Sequence, residues 1–256
     1  MRGAAALLRA IAAGELSARE AVDASLARIA ELNPRLNALT RVLEPSPGSG
    51  PLAGVPFSVK ENIDLAGTPT TFGLRGDVPD AALDAPHVAH LRAAGAVPVA
   101  RGNLPDLALR WHTESARYGT TLNPWDETLS PGGSSGGDAV AVATGMVAFA
   151  IGSDYGGSLR VPAALAGVCA LRPTPGRFAM AASGPPSMSR QLFATDGLLA
   201  PTVEDLALLA PIMARPSARD PRWTPAEWGE EVAGGAGGTP RAGRARGAGG
   251  ASGAGG

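Results

Sequence analysis

The sequence contains very little cysteine and no long hydrophobic run. Cys169 is the only cysteine among 256 residues, which excludes an internal disulfide and a cysteine-rich zinc site. The longest mostly apolar stretch, residues 139–152, is shorter than the roughly 20 residues that a membrane helix requires. An apolar stretch near the N-terminus is interrupted by Arg9, so we expect no secretory signal. These absences predict a cytoplasmic protein that does not enter a membrane.

Lysine is also scarce, although basic residues are not. The chain carries 22 basic and 23 acidic residues, a formal net charge of −1, so no global field attracts nucleic acid or an anionic membrane. Only Lys60 among the basic residues is a lysine. Arginine cannot be deprotonated in a protein, whereas a buried lysine can lose its proton and act as a base. Lys60 is therefore a candidate base, with a chance position on the surface as the alternative.

Two helices are predicted at the start of the chain. The apolar spacing of residues 7–11 predicts a helix that stops at Gly14. Ser17 and Glu20 have the spacing of a capping box, which starts a second helix. That helix is expected to end at Asn33-Pro34, because the residue before a proline disfavours helical backbone.

Helices and strands alternate in the rest of the chain. A short alternating run is predicted as a strand that leads inward and ends at Lys60. Residues 87–100 and 138–151 each read as a helix followed by a buried strand, and residues 202–213 read as a last helix. This order is typical of α/β proteins.

The composition changes after Trp228. Residues 233–256 are almost wholly Gly, Ala and Arg, without a hydrophobic period. Such a segment buries too little apolar area to offset the entropy of ordering it. We therefore expect one domain over residues 1–228 and a disordered tail over residues 229–256.

Two glycine-rich loops carry serines, but the sequence does not fit a histidine-dependent serine hydrolase or a nucleotide-binding site. Gly132-Gly-Ser-Ser-Gly fits the G-x-S-x-G pattern of a nucleophile elbow. That class of hydrolase places its histidine after the serine, whereas the last histidine here is His112. The lysine-containing phosphate loop and the G-x-G-x-x-G pattern are both missing.

Two further candidates are better explained by packing. His87 and His90 have a spacing that metal ligands sometimes show, but no third ligand at a telling distance accompanies them. A surface or core pair of histidines is the favoured reading. Cys169 lies within an apolar stretch, which favours a buried packing cysteine over a thiol nucleophile. The sequence therefore predicts no metal site and no cofactor.

A hydrolase without histidine remains, in which a neutral lysine activates a hydroxyl. Ser158 is the best nucleophile candidate, because it follows Gly156 and Gly157 at a predicted turn from strand to helix. Consecutive N–H groups in such a turn can point at a developing oxyanion. Lys60 is the candidate base, and Ser134 is placed to bridge the two.

Three motifs, in this order, resemble the amidase signature family: Gly54-Val-Pro-Phe-Ser-Val-Lys60-Glu-Asn-Ile-Asp64, Gly132-Gly-Ser-Ser-Gly-Gly137, and Asp154-Tyr-Gly-Gly-Ser158-Leu-Arg160-Val-Pro162. The resemblance implies an α/β fold with a mixed sheet flanked by helices. It identifies residues 1–228 as the N-terminal part of the family's domain. Because the family's members usually continue far beyond the acylated serine, we expect the fold to be incomplete at its C-terminal side.

The resemblance also implies roles for the residues. Lys60 is the expected base, Ser134 the bridging serine after a cis peptide, and Ser158 the acylated serine. The N–H groups of Ser158 and of three neighbours are expected to form the oxyanion hole, these neighbours being Tyr155, Gly156 and Gly157. Supporting roles fall on four further residues, namely Ser135, Ser153, Asp154 and Arg160.

Three functions are compatible with these expectations. The first is hydrolysis of a small-molecule amide to an acid and ammonia or an amine. The second is a subunit of an amidotransferase-type complex that supplies ammonia, as some relatives in this family do. The third is an inactive remnant that at most binds a partner. The oligomeric state is not predicted.

Overall fold

The computed structural model describes residues 3–45, 48–181 and 187–225. Its helices are α1 (Ala4–Ala12), α2 (Ala18–Leu36), α3 (Pro86–Ala93), α4 (Gly136–Ala143), α5 (Arg160–Ala166), α6 (Met188–Phe193) and α7 (Val203–Met213). Its strands are β1 (Leu39–Val42), β2 (Pro56–Lys60), β3 (Val97–Gly102), β4 (Glu114–Ser115), β5 (Gly119–Thr120), β6 (Phe149–Asp154), β7 (Cys169–Leu171) and β8 (Thr195–Ala200).

Six strands form one mixed sheet in the order β1-β3-β2-β6-β8-β7. The central strand β2 is parallel to both of its neighbours, β3 and β6. The outer pairs β1/β3, β6/β8 and β7/β8 are antiparallel. Because parallel strands end at the same edge of a sheet, Lys60 at the end of β2 and Asp154 at the end of β6 lie at one edge.

Apolar side chains cover both faces of the sheet. One face packs against α1, α3 and α7, and its centre is the stacked pair Phe57 and Phe149, whose ring centroids are 4.9 Å apart. The other face packs against α2 and α4, with Val140 and Met146 fully buried there. Helices on both faces therefore hold the central strands, and the predicted α/β fold with a mixed sheet flanked by helices is confirmed.

Most predicted elements are present, and two boundaries differ. The capping box at Ser17 and Glu20 is formed, but α2 runs through Pro34 to Leu36, and Asn37, with a φ of 48°, caps its C-terminal end. Proline has a helical φ, and Asn33 exchanges two hydrogen bonds with Leu39 that stabilise this end of the helix.

The strand predicted over residues 146–151 also begins later than expected. Gly145 has a positive φ of 69°, and the Met146 N–H donates to the Ala141 carbonyl to end α4. Sheet pairing starts only at Phe149 and continues to Asp154.

Two further expectations concern the tail and the membrane. The tail over residues 229–256 lies outside the described residues. No helix in the part of the chain that the structure covers is long and apolar enough to cross a bilayer.

Candidate active site

Lys60 is fully buried at the end of β2, among hydroxyl groups. Its Nζ donates to Ser134 Oγ at 2.7 Å and to Ser153 Oγ at 3.0 Å. Asn62 Nδ2 donates to the same Ser153 oxygen at 3.0 Å, so the strand end is held on both sides of Lys60. Ser134 follows a cis peptide bond from Gly133, as the resemblance implied. The expected contact between Lys60 and Ser134 is thus present, through the bond of 2.7 Å from Nζ to Oγ.

Burial changes the proton affinity of Lys60. Removal from water lowers the pKa of Lys60 to about 7, although the carboxylates of Asp138, Asp196 and Asp154 pull it upward. A base works best when its pKa lies near the working pH. An amine with such a pKa can accept a proton at neutral pH. The other 21 basic residues are arginines, which stay protonated and cannot do so.

Ser158 lies on the turn between β6 and α5. It is 6% exposed and faces the same cavity as Ser134. The preceding Gly157 has a φ of 119°, a backbone conformation that side chains rarely adopt. The Ser135 N–H donates to the Ser158 carbonyl at 3.1 Å, so the two serine loops are bonded through their backbones.

Asp154 holds this turn. Its carboxylate accepts the N–H groups of Gly157 at 2.8 Å and Leu159 at 3.1 Å, and it forms a bidentate pair with Arg160, both bonds being 3.0 Å. Burial opposes ionisation of Asp154, but these bonds outweigh it and lower the pKa to about 2. Asp154 and Arg160 therefore support the loop that carries Ser158.

Ser135 and Ser153 link the two loops. The Ser135 hydroxyl donates to the Ser153 carbonyl at 3.3 Å, and the Ser153 N–H donates to Ser135 Oγ at 3.4 Å. Ser153 also accepts from Lys60. Of the two expected support residues, Ser153 contacts Lys60 and Ser135 contacts Ser158.

One of the four N–H groups expected to form the oxyanion hole, that of Gly157, already has an acceptor. The Gly157 N–H is already bonded to Asp154 and is not available to an oxyanion in this arrangement. The N–H groups of Tyr155, Gly156 and Ser158 have no acceptor among the residues that the structure describes. The turn therefore offers donors on either side of Gly157.

A cavity of about 580 Å³ joins these groups to solvent. Ser134, Ser153 and Ser158 lie on its floor, and residues 107–111 and Tyr155 form part of its wall. Trp111 is 64% exposed at the mouth. The space is sufficient for a small organic molecule to reach the serines.

The sequence reasoning missed two contributors. Asn62 belongs to the first motif but was given no role, although its contact with Ser153 helps to hold the end of β2. Asp138 directly follows the Gly132–Gly137 loop and was read only as the start of a helix. It is fully buried and accepts a hydrogen bond from Ser58 at 2.6 Å. The sequence signal for a special role of Asp138 is that it is the one charged residue in a helix otherwise made of glycine and apolar residues.

The other candidates lie in the core or at its edge. His87 is fully buried, with Nδ1 3.0 Å from the Ala179 carbonyl and Nε2 3.4 Å from Asp196. Cys169 is only partly buried, because it lies on the edge strand β7. In residues 3–45, 48–181 and 187–225, His, Cys, Asp and Glu form no group of three suited to a metal ion.

The fold and the site define an α/β protein with a serine–serine–lysine cluster at the ends of parallel strands. The profile of the Amidase family matches residues 20–242. The chain belongs to the amidase family, and the resemblance stated from the three motifs is confirmed.

Several known proteins are similar to this chain in sequence or in fold. The chain is 39% identical to an indoleacetamide hydrolase of Bradyrhizobium diazoefficiens over 236 residues, which are 85% of this chain and 45% of that protein. It is 39% identical over 242 residues to a glutamyl-tRNA(Gln) amidotransferase subunit of Symbiobacterium thermophilum, covering 86% and 48%. The structure of the peptide amidase of Stenotrophomonas maltophilia matches with a TM-score of 0.77 at 33% identity, covering 90% and 52%. The chain spans about half the length of these relatives.

Proposed function

We propose that the chain hydrolyses a carboxylic amide through an acyl-enzyme on Ser158. The observation that carries the proposal is the buried Lys60 amine, 2.7 Å from the Ser134 hydroxyl, in a cavity that also exposes Ser158. The lowered pKa of Lys60 supports a base that is neutral at the working pH. A hydroxyl needs such a base to become a nucleophile.

The proposed acylation moves two protons in sequence. Ser134 gives its proton to Lys60 and takes the proton of Ser158, while Ser158 Oγ forms a bond to the amide carbonyl carbon. The carbonyl electrons move to the oxygen, and the resulting oxyanion accepts bonds from free N–H groups in the Tyr155–Ser158 turn. When the C–N bond breaks, the proton returns through Ser134 to the leaving nitrogen, and ammonia or an amine departs.

Deacylation reverses this relay with water. A water molecule gives a proton to Ser134 as it attacks the acyl carbon, and Lys60 again accepts the proton from Ser134. The C–O bond to Ser158 breaks, the acid is released, and Ser158 recovers its proton from the relay. No group outside the cluster is required for the proton balance.

Substrate size is bounded by the cavity. Its volume of about 580 Å³ and its partly apolar wall at Leu107, Leu109 and Trp111 favour a small amide with an apolar acyl group. The similarity to an indoleacetamide hydrolase supports the same size class. We therefore propose small-molecule aryl or aliphatic amides as substrates.

The experiment is a hydrolysis assay on the purified chain with a panel of such amides. Product ammonia and acid are quantified for the wild type and for Ser158→Ala and Ser134→Ala. Release that falls to background in Ser158→Ala supports the proposal. Release that is unchanged in Ser158→Ala contradicts it.

The similarity to an amidotransferase subunit gives a second candidate function, namely amide hydrolysis that supplies ammonia within a complex. The two functions differ in their need for partners. Turnover by the chain alone supports the stand-alone hydrolase. Ammonia release only after addition of the other subunits of such a complex supports the second function, and a folded chain that is inactive in both assays contradicts both.

A further inference from the structure

A second buried charge lies beside the serine–lysine cluster, on the segment that carries Ser134. Asp138 is within the first turn of α4, four residues after Ser134. Its side chain is fully buried, and Oδ1 accepts the Ser58 hydroxyl at 2.6 Å. Oδ2 has no hydrogen-bond partner in the described part of the chain. A buried carboxyl group with one unsatisfied oxygen is costly unless a positive charge compensates it.

The strand geometry identifies Lys60 as that charge. Ser58 and Lys60 are two residues apart on β2, so their side chains leave the same face of the sheet. Lys60 is paired with Gly102 of β3. A Cβ atom at Gly102 would collide with the Asp138 carboxyl group, which therefore fills the space beside Lys60 on the same face. These two observations place the Asp138 carboxyl group on the face of the sheet from which the Lys60 side chain projects.

We propose that Asp138 is a positioning residue that acts through Lys60, its negative charge stabilising the ammonium that forms when Lys60 takes the proton of Ser134. The catalytic part of this inference rests on the proposed function, whereas the electrostatic link between the two side chains does not. Without opposing charges, burial would lower the pKa of Lys60 further. The neighbouring carboxylate restores part of its proton affinity.

Other charges reach the same pair and remain constant in the test. Asp154 from β6 and Asp196 from β8 also favour protonated Lys60, but less than Asp138 does. Burial raises the pKa of Asp138 to about 7, while the Ser58 hydroxyl, Lys60 and Arg101 of β3 favour its ionised form. Replacing Asp138 alone therefore removes the largest single attraction on the Lys60 ammonium.

The sequence allows this link to be measured at one residue. Lys60 is the only lysine of the chain, so protein grown on lysine labelled with ¹³C at Cε gives one lysine side-chain signal. The chemical shift of this signal is followed by NMR as a function of pH. The measurement needs no substrate and no turnover.

The variants are Asp138→Asn, which keeps the acceptor for Ser58, and Asp138→Ser as a second neutral variant if the first does not fold. Asp205→Asn is the matched control, since Asp205 is another buried carboxylate that caps α7 away from the site. Loss of a close opposite charge typically shifts a pKa by roughly 1–3. We expect the Lys60 midpoint near pH 7 to fall by about one unit or more in the Asp138 variants and to stay unchanged in Asp205→Asn.

The outcomes separate this inference from the proposed function. A Lys60 midpoint that stays in place or rises in the folded Asp138 variants overturns the inference. The pH dependence of Ser158 labelling by a fluorophosphonate gives the catalytic readout, whose acid limb should move with the Lys60 midpoint. A moving midpoint in a chain whose Ser158 is never labelled upholds the electrostatic link and contradicts the proposed function.

Discussion

Lys60 differs from every other basic residue of the chain in a property that the site uses. The other 21 of the 22 basic residues are arginines. An arginine at the end of β2 would remain charged at any working pH. The buried amine beside Ser134 can be neutral or charged near neutrality. A side chain that changes its protonation state is what a proton relay requires.

The first prediction at this scale is that arginine cannot replace Lys60. A permanent cation cannot accept the proton of Ser134, so Lys60→Arg should lower amide turnover by about 10²–10⁴-fold. Arg28→Lys, the reverse exchange at a partly exposed position of α2, serves as the control and should keep full activity. Near-normal turnover of Lys60→Arg, measured beside its melting curve, would refute the base role.

The second prediction concerns the pH dependence of catalysis. Only neutral Lys60 accepts a proton, and burial lowers its pKa to about 7. The logarithm of kcat/KM for an amide should therefore rise with pH below about 7 and level off above it. A profile measured from pH 5 to 9 that is flat across this range would show that Lys60 is not the group that limits the reaction.

Asp154 shows how one side chain determines a whole turn. It connects the end of β6 to the start of α5 through bonds to Gly157, Leu159 and Arg160. The positive φ of Gly157 allows the sharp change of direction that brings Ser158 to the cavity. Ser158, the proposed nucleophile, is thus positioned by an element boundary and not by a helix or strand alone.

The third prediction follows from the low pKa of Asp154. Its folded pKa of about 2 lies below the unfolded value of roughly 3.9, so it contributes stability above pH 4 that is lost as the pH falls through 2. Asp154→Asn should lower the free energy of unfolding by about 2 kcal/mol at pH 7. The difference from wild type should shrink as the pH approaches 2, as measured by urea unfolding at several pH values. A difference that is constant with pH would contradict the account of Asp154.

At the scale of the whole molecule, several large apolar side chains are exposed on the cavity wall or in contact with it. The mouth patch consists of Leu107, Leu109, Trp111, Tyr155 and Phe193, each of which is at least 50% exposed. Tyr155 and Phe193 are in edge-on contact, with ring centroids 6.0 Å apart. Exposed apolar side chains grouped around one cavity favour binding of an apolar ligand.

The fourth prediction is that a hydrophobic dye binds to the mouth patch at neutral pH. The double change Leu109→Ser and Trp111→Ser should reduce the fluorescence enhancement of the dye several-fold. Val203→Ser, a change at an exposed apolar residue outside the patch, should leave it unchanged. Equal enhancement in all three chains, with equal melting temperatures, would show that the dye binds elsewhere.

The sequence predicted the parts of the molecule that local signals determine. The capping box of α2, the last helix α7, the strand ending at Lys60 and the turn before Ser158 follow from spacing and from glycine, and they are present. The contact of Lys60 with Ser134 followed from the family resemblance and is present as well. The catalytic roles of these residues remain predictions.

Other features depend on contacts between distant segments. The pairing of Ser153 with Asp196 across β6 and β8, and the position of Asp138 above Gly102, result from sheet order, which no local pattern encodes. The same holds for the Gly157 N–H, whose bond to Asp154 changes the expected set of oxyanion donors. Helix α2 continues through Pro34 because the contacts of Asn33 with Leu39 outweigh a local signal to stop.

The central claim is that Ser158 is the residue that becomes acylated. The most direct measurement is reaction of the full chain with a fluorophosphonate probe at pH 8, followed by protease digestion and mass mapping of the modified peptide. The account predicts a single adduct on Ser158 that is abolished in Ser158→Ala and strongly slowed in Lys60→Met. An adduct on Ser134 with Ser158 unmodified, or no difference between wild type and Ser158→Ala, would contradict it.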